Sequence, residues 1–140
     1  MYFYTIETKD PLAVKEFLLS QEGDISFFDL QRIICQLQVD SAIDRVERAE
    51  RHYLSNGFGI ELLLELSGYP QISKAIDLLQ ITENTQSIGI ISKEEFNYEG
   101  KGTLSNGLSI KPADNLHELY NLTPRKLCDK VIARAASMRS

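Results

Sequence analysis

GFGIELLLELSGYPQISKAIDLL, Gly57 to Leu79, is the stretch whose reading decides the fold. Phe58 to Leu66 is apolar on nearly every face, with Glu61 and Glu65 as exceptions, which predicts a short buried helix with its two glutamates turned outward. Ser67-Gly68-Tyr69-Pro70 then breaks it, Gly68 permitting a left-handed turn and Pro70 suiting the first turn of a new helix. Ile72, Ala75, Ile76 and Leu79 follow at i, i+3, i+4 and i+7, a one-sided helix against a core. The stretch is therefore a helix-turn-helix corner with a polar joint of Ser67, Gln71, Ser73 and Lys74.

Before the corner, Met1 to Thr8 is rich in aromatic and β-branched residues and predicts an edge strand. Asp10-Pro11 opens a helix to about Gln21, burying Leu12, Phe17 and Leu18 or Leu19 and ending near Gly23. Ile25 to Cys35 predicts a second strand covered on both faces. Asp40 or Ser41 caps a helix to about Leu54 whose core stripe is Ile43, Val46 and Tyr53, with Arg45, Arg48, Arg51 and His52 on its remaining surface. After the corner, Gln86 to Ser92 predicts a core strand. Tyr98 to Asn106 is the expected mobile segment, and Leu108 to Lys111 a further short strand. Asp114 or Asn115 starts a helix through Tyr120, and Thr123-Pro124 starts the last one. Helices and strands mix without regular βαβ alternation. The expectation is α+β, one domain over 1–140, with an antiparallel sheet carrying helices on its faces.

The composition, 43% hydrophobic and 25% charged over 140 residues, is that of a globular domain large enough to bury about two-thirds of its unfolded surface. No run approaches the roughly 18 apolar residues of a membrane helix, and Met1-Tyr2-Phe3-Tyr4 does not read as a signal peptide. A cytoplasmic protein is expected. Cys35 and Cys128 are read as two buried free thiols, with a disulfide as the alternative. The net charge of −5 argues against coating nucleic acid by bulk charge, though it leaves room for a local basic patch.

No catalytic constellation assembles. His52 and His117 sit in different predicted helices, and no zinc or other metal spacing, cofactor motif, phosphate loop or nucleophile elbow occurs. The expectation is a binding protein, not an enzyme. Two surfaces are candidates. One is the corner with its neighbouring helix ends: Asn56, Gly57, Ser67, Gly68, Tyr69, Gln71 and Lys74, with Arg48 and Arg51 alongside. There helix N–H groups favour a phosphate, Tyr69 offers a stacking ring, and Gln71 suits a base edge. The other is an apolar stripe, Leu127, Val131, Ala135 and Met138 with Leu116 and Leu119, read either as core or as a partner-docking face.

Glu61-Leu62-Leu63-Leu64, Ser67-Gly68 and Gln71-Ile72-Ser73-Lys74-Ala75-Ile76, with the flanking Asn56-Gly57-Phe58 and Leu119-Tyr120-Asn121-Leu122-Thr123, resemble the pattern of one family over roughly 25–140. It is the small kinase-binding regulatory subunit of the KEOPS transfer-RNA-modification complex, in its archaeal-type form. The resemblance implies a noncatalytic subunit that supports threonylcarbamoyladenosine formation and binds the complex's small Bud-type kinase. It further implies that the subunit holds the 3′ CCA end of transfer RNA at the Ser-Gly-x-x-Gln-Ile joint, with the last helix as the first kinase contact. Pro70 stands where the family pattern carries a basic residue, which removes one phosphate contact. The competing reading is a protein-interaction module without RNA binding.

Overall fold

The structure, a computed structural model, describes residues 1–49, 53, 55 and 57–138. At its centre is the predicted buried helix, α3 (Phe58–Ser67). Phe58 and every residue from Glu61 to Ser67 are buried, the two glutamates included. The outward-facing placement expected for Glu61 and Glu65 is therefore overturned. A helix enclosed on all sides has no solvent face for a carboxylate, so each must find a partner. Glu65 accepts from Arg45 Nε at 2.7 Å. Glu61 accepts from the Ser55 backbone N–H at 3.0 Å and from the Ser55 hydroxyl at 2.8 Å.

The helix meets β2 (Ile25–Asp29) at its start, α2 (Gln36–Arg48) along its length, and α4 (Ile72–Leu79) and α6 (Leu127–Ser137) on the remaining sides. Contact with β2 is backbone to backbone. A Cβ on Gly59 would lie 2.4 Å from the Ile25 carbonyl oxygen, and the Ser26 hydroxyl donates to the Gly59 carbonyl at 2.9 Å.

The sheet is antiparallel, in the order β2, β3 (Ser87–Ser92), β1 (Tyr2–Glu7), β4 (Thr103–Asn106). Its register sets Phe3 opposite Ile91, Ile6 opposite Ile88 and Phe27 opposite Ile90. Alternation then sends Phe3, Phe28 and Ile91 to the α3 side, while Tyr4, Ile6, Ile88 and Ile90 pack on the other side. There they meet Val14 and Leu18 of α1 (Pro11–Leu19), with Phe96 in the same cluster. The result is α+β, with helices on both faces. Among the described residues no helix is long and apolar enough to cross a membrane.

Several local expectations are corrected. β1 is interior, not an edge, because β4 pairs outside it. Thr103–Asn106, the end of the segment expected to be mobile, pairs with β1 as β4, and just beyond it buried Thr5 donates to the Gly107 carbonyl at 2.7 Å and accepts from Ser109 N–H at 3.1 Å. Leu108 to Lys111 is not a strand. β2 stops at Asp29, whose carboxylate accepts from Gln31 N–H at 3.0 Å and turns the chain into a 3-10 turn, Leu30–Arg32. α2 starts at Gln36, not Asp40 or Ser41, with Gln38 reaching back to accept from Ile34 N–H at 2.8 Å. α1 buries Val14 and Leu18 while Leu12 and Leu19 are exposed. On α4, Ala75, Leu78 and Leu79 are buried and Ile72 is exposed. α6 begins three residues after Pro124. Finally, Cys35 and Cys128 form a disulfide rather than two free thiols. Packing of α6 on α2 brings Cα atoms 93 residues apart to 6.2 Å.

The contact between α3 and β2 can be tested by adding one methyl group. Gly59→Ala is expected to lower stability by about 2–3 kcal/mol in denaturant unfolding, since neither backbone can yield freely. Gly57→Ala, with open space around its Cβ, is expected to cost no more than about 1 kcal/mol.

Candidate binding cleft at the helix corner

The buried C-terminus of α3 leaves four carbonyl oxygens that need donors. All four are supplied. Leu64 O accepts from Gly68 N–H at 2.9 Å, and Gly68 reaches that position in the left-handed region, φ +74°. Glu65 O accepts from Arg45 Nη2 at 3.4 Å, Leu66 O from Gln38 Nε2 at 2.7 Å, and Ser67 O from Arg134 Nη2 at 2.7 Å. A Cβ at position 68 would lie 2.8 Å from Arg134 Nε, so glycine is required there by backbone and by neighbour.

Arg134 reaches this point from α6. Its Nη1 donates to Tyr120 O at 2.5 Å, and its guanidinium lies 4.2 Å from the centre of the Tyr69 ring. The Tyr69 hydroxyl donates to Tyr120 O at 3.2 Å and accepts from Asn121 Nδ2 at 2.9 Å. Tyr120 lies at the C-terminal edge of α5 (Leu116–Leu119). Buried Tyr120 in turn donates to Arg32 O at 2.7 Å and accepts from Gln38 Nε2 at 3.0 Å. Burial pushes its phenol far above the usual tyrosine range.

Outside this clamp opens a cleft of about 280 Å³, lined by Arg32, Tyr69, Lys74, Asp77, Leu119 and Asn121 among others. Lys74 is exposed, with its ammonium 5.7 Å from the Tyr69 ring centre. Arg32 donates to Leu78 O at 3.4 Å and lies 3.9 Å from Asp29. Burial raises the Asp29 carboxyl above its usual value, against the opposing pull of hydrogen bonds from Thr85 and Gln31 and the charge of Arg32. Two cations, partly offset by the Asp77 carboxylate, with an amide and a phenol beside an exposed leucine, suit a small anion attached to a flat or apolar group. Among the described residues no cluster of three or more metal-ligating side chains forms.

The predicted site residues divide sharply. Ser67, Gly68, Tyr69, Gln71 and Lys74 do meet at the corner, but Ser67 and Gly68 are buried. The Ser67 hydroxyl donates to Leu64 O at 3.1 Å and accepts from Tyr69 N–H at 3.0 Å, so it shapes the turn. Gln71 is exposed. Gly57 caps the opposite end of α3, about 15 Å away for ten residues. It lines a separate cavity of about 580 Å³ with Leu19, Phe27, Phe58, Leu63 and Ile76. Arg48 pairs with Asp44 on its own helix at 2.7 Å, exposed to solvent. Arg51 and Asn56 lie outside the described residues.

The proposed docking stripe belongs to the core. Leu116, Val131 and Ala135 are buried, and Leu127 and Met138 pack half-buried against them, because this is the face α6 presents to α2 and α3. Leu119 alone of the six is exposed, at 45%, and it lines the cleft. Sequence reading missed Arg32, Asn121 and Arg134. For Arg134 a signal existed: it lies three residues after Val131 and next to Ala135, on the apolar side of α6, where a guanidinium requires buried acceptors.

Compared with known proteins, the chain matches no family model and no curated protein.

Arg134→Ala is expected to cost about 2–4 kcal/mol of folding stability, as it strands the Ser67 carbonyl and leaves the Tyr120 carbonyl with the Tyr69 hydroxyl alone, whereas Arg48→Ala should cost under about 0.5 kcal/mol. Asp29 predicts a pH dependence. Its folded-state pKa is raised, so the folded chain keeps this proton to higher pH than the unfolded chain. The associated stability is complete below the unfolded value of 3.8 and is lost as pH rises through the folded one. The stability of the wild type relative to Asp29→Asn should therefore grow as pH falls from 7 toward 4. Paired thermal melts over that range would show it, and a flat or opposite trend would reject it.

Proposed function

We propose that the chain is a noncatalytic, cytoplasmic regulatory subunit of a KEOPS-type complex that binds its small kinase and presents the 3′ CCA end of transfer RNA. The reading rests on the resemblance along the corner, and the observation that supports it best is the cleft itself. Lys74 and Arg32 stand beside Tyr69 and Asn121 in about 280 Å³. A single-stranded RNA end offers matching chemistry: phosphates for the cations, unpaired base edges for the amide of Asn121 or of nearby Gln71, and an apolar base face for Leu119. Such a patch is compatible with a net charge of −5, because the larger basic track is supplied by the partners. Kinase docking then uses exposed side chains such as Leu119 rather than the α6 stripe, which is buried.

A second reading, a kinase-binding or other interaction module without RNA contact, is favoured by one observation: Arg134 already lies against the Tyr69 ring, limiting it as a stacking platform.

The test is binding of intact transfer RNA and of the same RNA without CCA, over a salt series, with Lys74→Glu and Gln71→Ala. Under the first reading, removing CCA weakens binding at least tenfold. Lys74→Glu also weakens it and lowers the salt slope by about 1. Equal binding of both RNAs, or none, rejects RNA presentation. In that case co-elution with the kinase subunit decides whether the second reading stands.

A further inference from the structure

The disulfide joins two places that the rest of the fold treats differently. Cys35 is the N-cap of α2, whose body is anchored by buried Gln38, Val39 and Ala42. Cys128 lies in the first turn of α6, and that turn is lightly held. Its N-cap, Lys126, has φ +51° and makes no side-chain cap hydrogen bond. Between buried Tyr120 and buried Val131 no residue is buried. Residues 121–130 are held to the domain by the Asn121 side-chain bond to Tyr69, by the Asn121 and Leu122 backbone N–H groups donating to Glu118 O and His117 O, by half-buried Leu122 and Leu127, and by the disulfide. Lys130 bonds Thr123 within the segment itself.

Both cysteines are half-buried, so a thiol can reach them. Cys35 has a further property. It sits at the N-cap of a 13-residue helix, where the first backbone N–H groups have no intrahelical partner and can stabilise a departing thiolate in thiol–disulfide exchange. Seven residues before Cys128 lies Asn121, which with Leu119 forms a wall of the corner cleft.

We infer that the Cys35–Cys128 bond is a redox latch on residues 121–130: oxidised, it pins the start of α6 to α2 and fixes the Asn121 wall of the cleft; reduced, it releases that segment while the domain stays folded. The chemistry is a two-electron exchange with a dithiol. Its thiolate attacks Cys128 Sγ, Cys35 leaves as thiolate, and the second thiol of the reductant resolves the mixed disulfide. The products are two protein thiols, protonated from the dithiol, and a cyclic disulfide of the reductant. Release remains local because Val131, Ala135 and Arg134, farther along α6, keep their contacts with the core. The latch does not depend on what occupies the cleft.

Hydrogen exchange by mass spectrometry on the whole chain, before and after dithiothreitol, tests it. The hydrogen-bonded amides of this segment, those of Asn121, Leu122 and Lys130, should exchange at least tenfold faster after reduction, while α3 and β3 are unchanged. Cys128→Ser should exchange like the reduced protein without reductant and show no further response. Unchanged exchange in 121–130 overturns the latch. So does a uniform rise that includes α3 and β3, which marks a global staple, or titration of two free thiols in the oxidised protein. A Cys128→Ser variant that keeps slow exchange overturns it as well.

Discussion

A helix with no solvent face is the constraint on which the rest of this domain depends. Burying α3 on all sides removes apolar surface of Phe58, Leu62, Leu63, Leu64 and Leu66 from water, a gain on the order of 1.5–3 kcal/mol for each fully buried side chain. It also encloses two carboxylates and a helix terminus, and a charge in such a place is tolerated only with a partner. Arg45 and Ser55 therefore have to stand where Glu65 and Glu61 are, which sets how α2 and the chain after it lie against α3. Gly59 is needed where α3 touches the edge of β2, and Gly68 where the chain leaves the core.

The corner follows from the same constraint. The C-terminal end of a helix carries partial negative charge as well as free carbonyls, so cationic donors are favoured there on two grounds. Arg45 from α2 and Arg134 from α6 both converge on it, and Gln38 fills the position between. Arg45 is thus paired with the Glu65 carboxylate, and the charge of Arg134 is offset in part by the helix end it caps. Lys74, exposed, and Arg32, partly so, form the cationic rim that remains toward the cleft. This arrangement explains how an acidic chain carries a small basic rim: the arginines behind the rim support the turn, and the rim is what faces outward.

What was legible in the sequence was the local part. The length and enclosure of α3, the left-handed exit at Gly68, the Asp10 cap of α1 and the strand around Ile88 to Ile91 each follow from propensity, period or a single special residue. What was not legible joined residues far apart. Glu65 is matched from 20 residues away, Ser67 O from 67 and Cys128 from 93. Periodicity places a glutamate on a surface by default and has no term for an arginine arriving from another helix. The α6 stripe was ambiguous for a related reason. Leucine, valine and methionine at helical spacing describe a buried face, but not whether the chain's own helices or another protein bury it. In α6 the chain's own helices do so.

The same division bears on what the resemblance at the corner carries. Ser67 and Gly68 open its specific string, Ser-Gly-x-x-Gln-Ile-x-x-Ala-Ile, and both are buried parts of the turn. In this chain the hydroxyl of Ser67 and the missing side chain of Gly68 serve the left-handed exit and the arginine laid across it, whatever the cleft binds. Gln71 and Lys74 are under no such demand: they are exposed, and no carbonyl of α3 depends on them. The Ser-Gly pair therefore speaks for the geometry of the corner. The glutamine and lysine that follow it, together with Arg32 and Asn121 from other parts of the chain, are the residues in which a ligand's chemistry can be read.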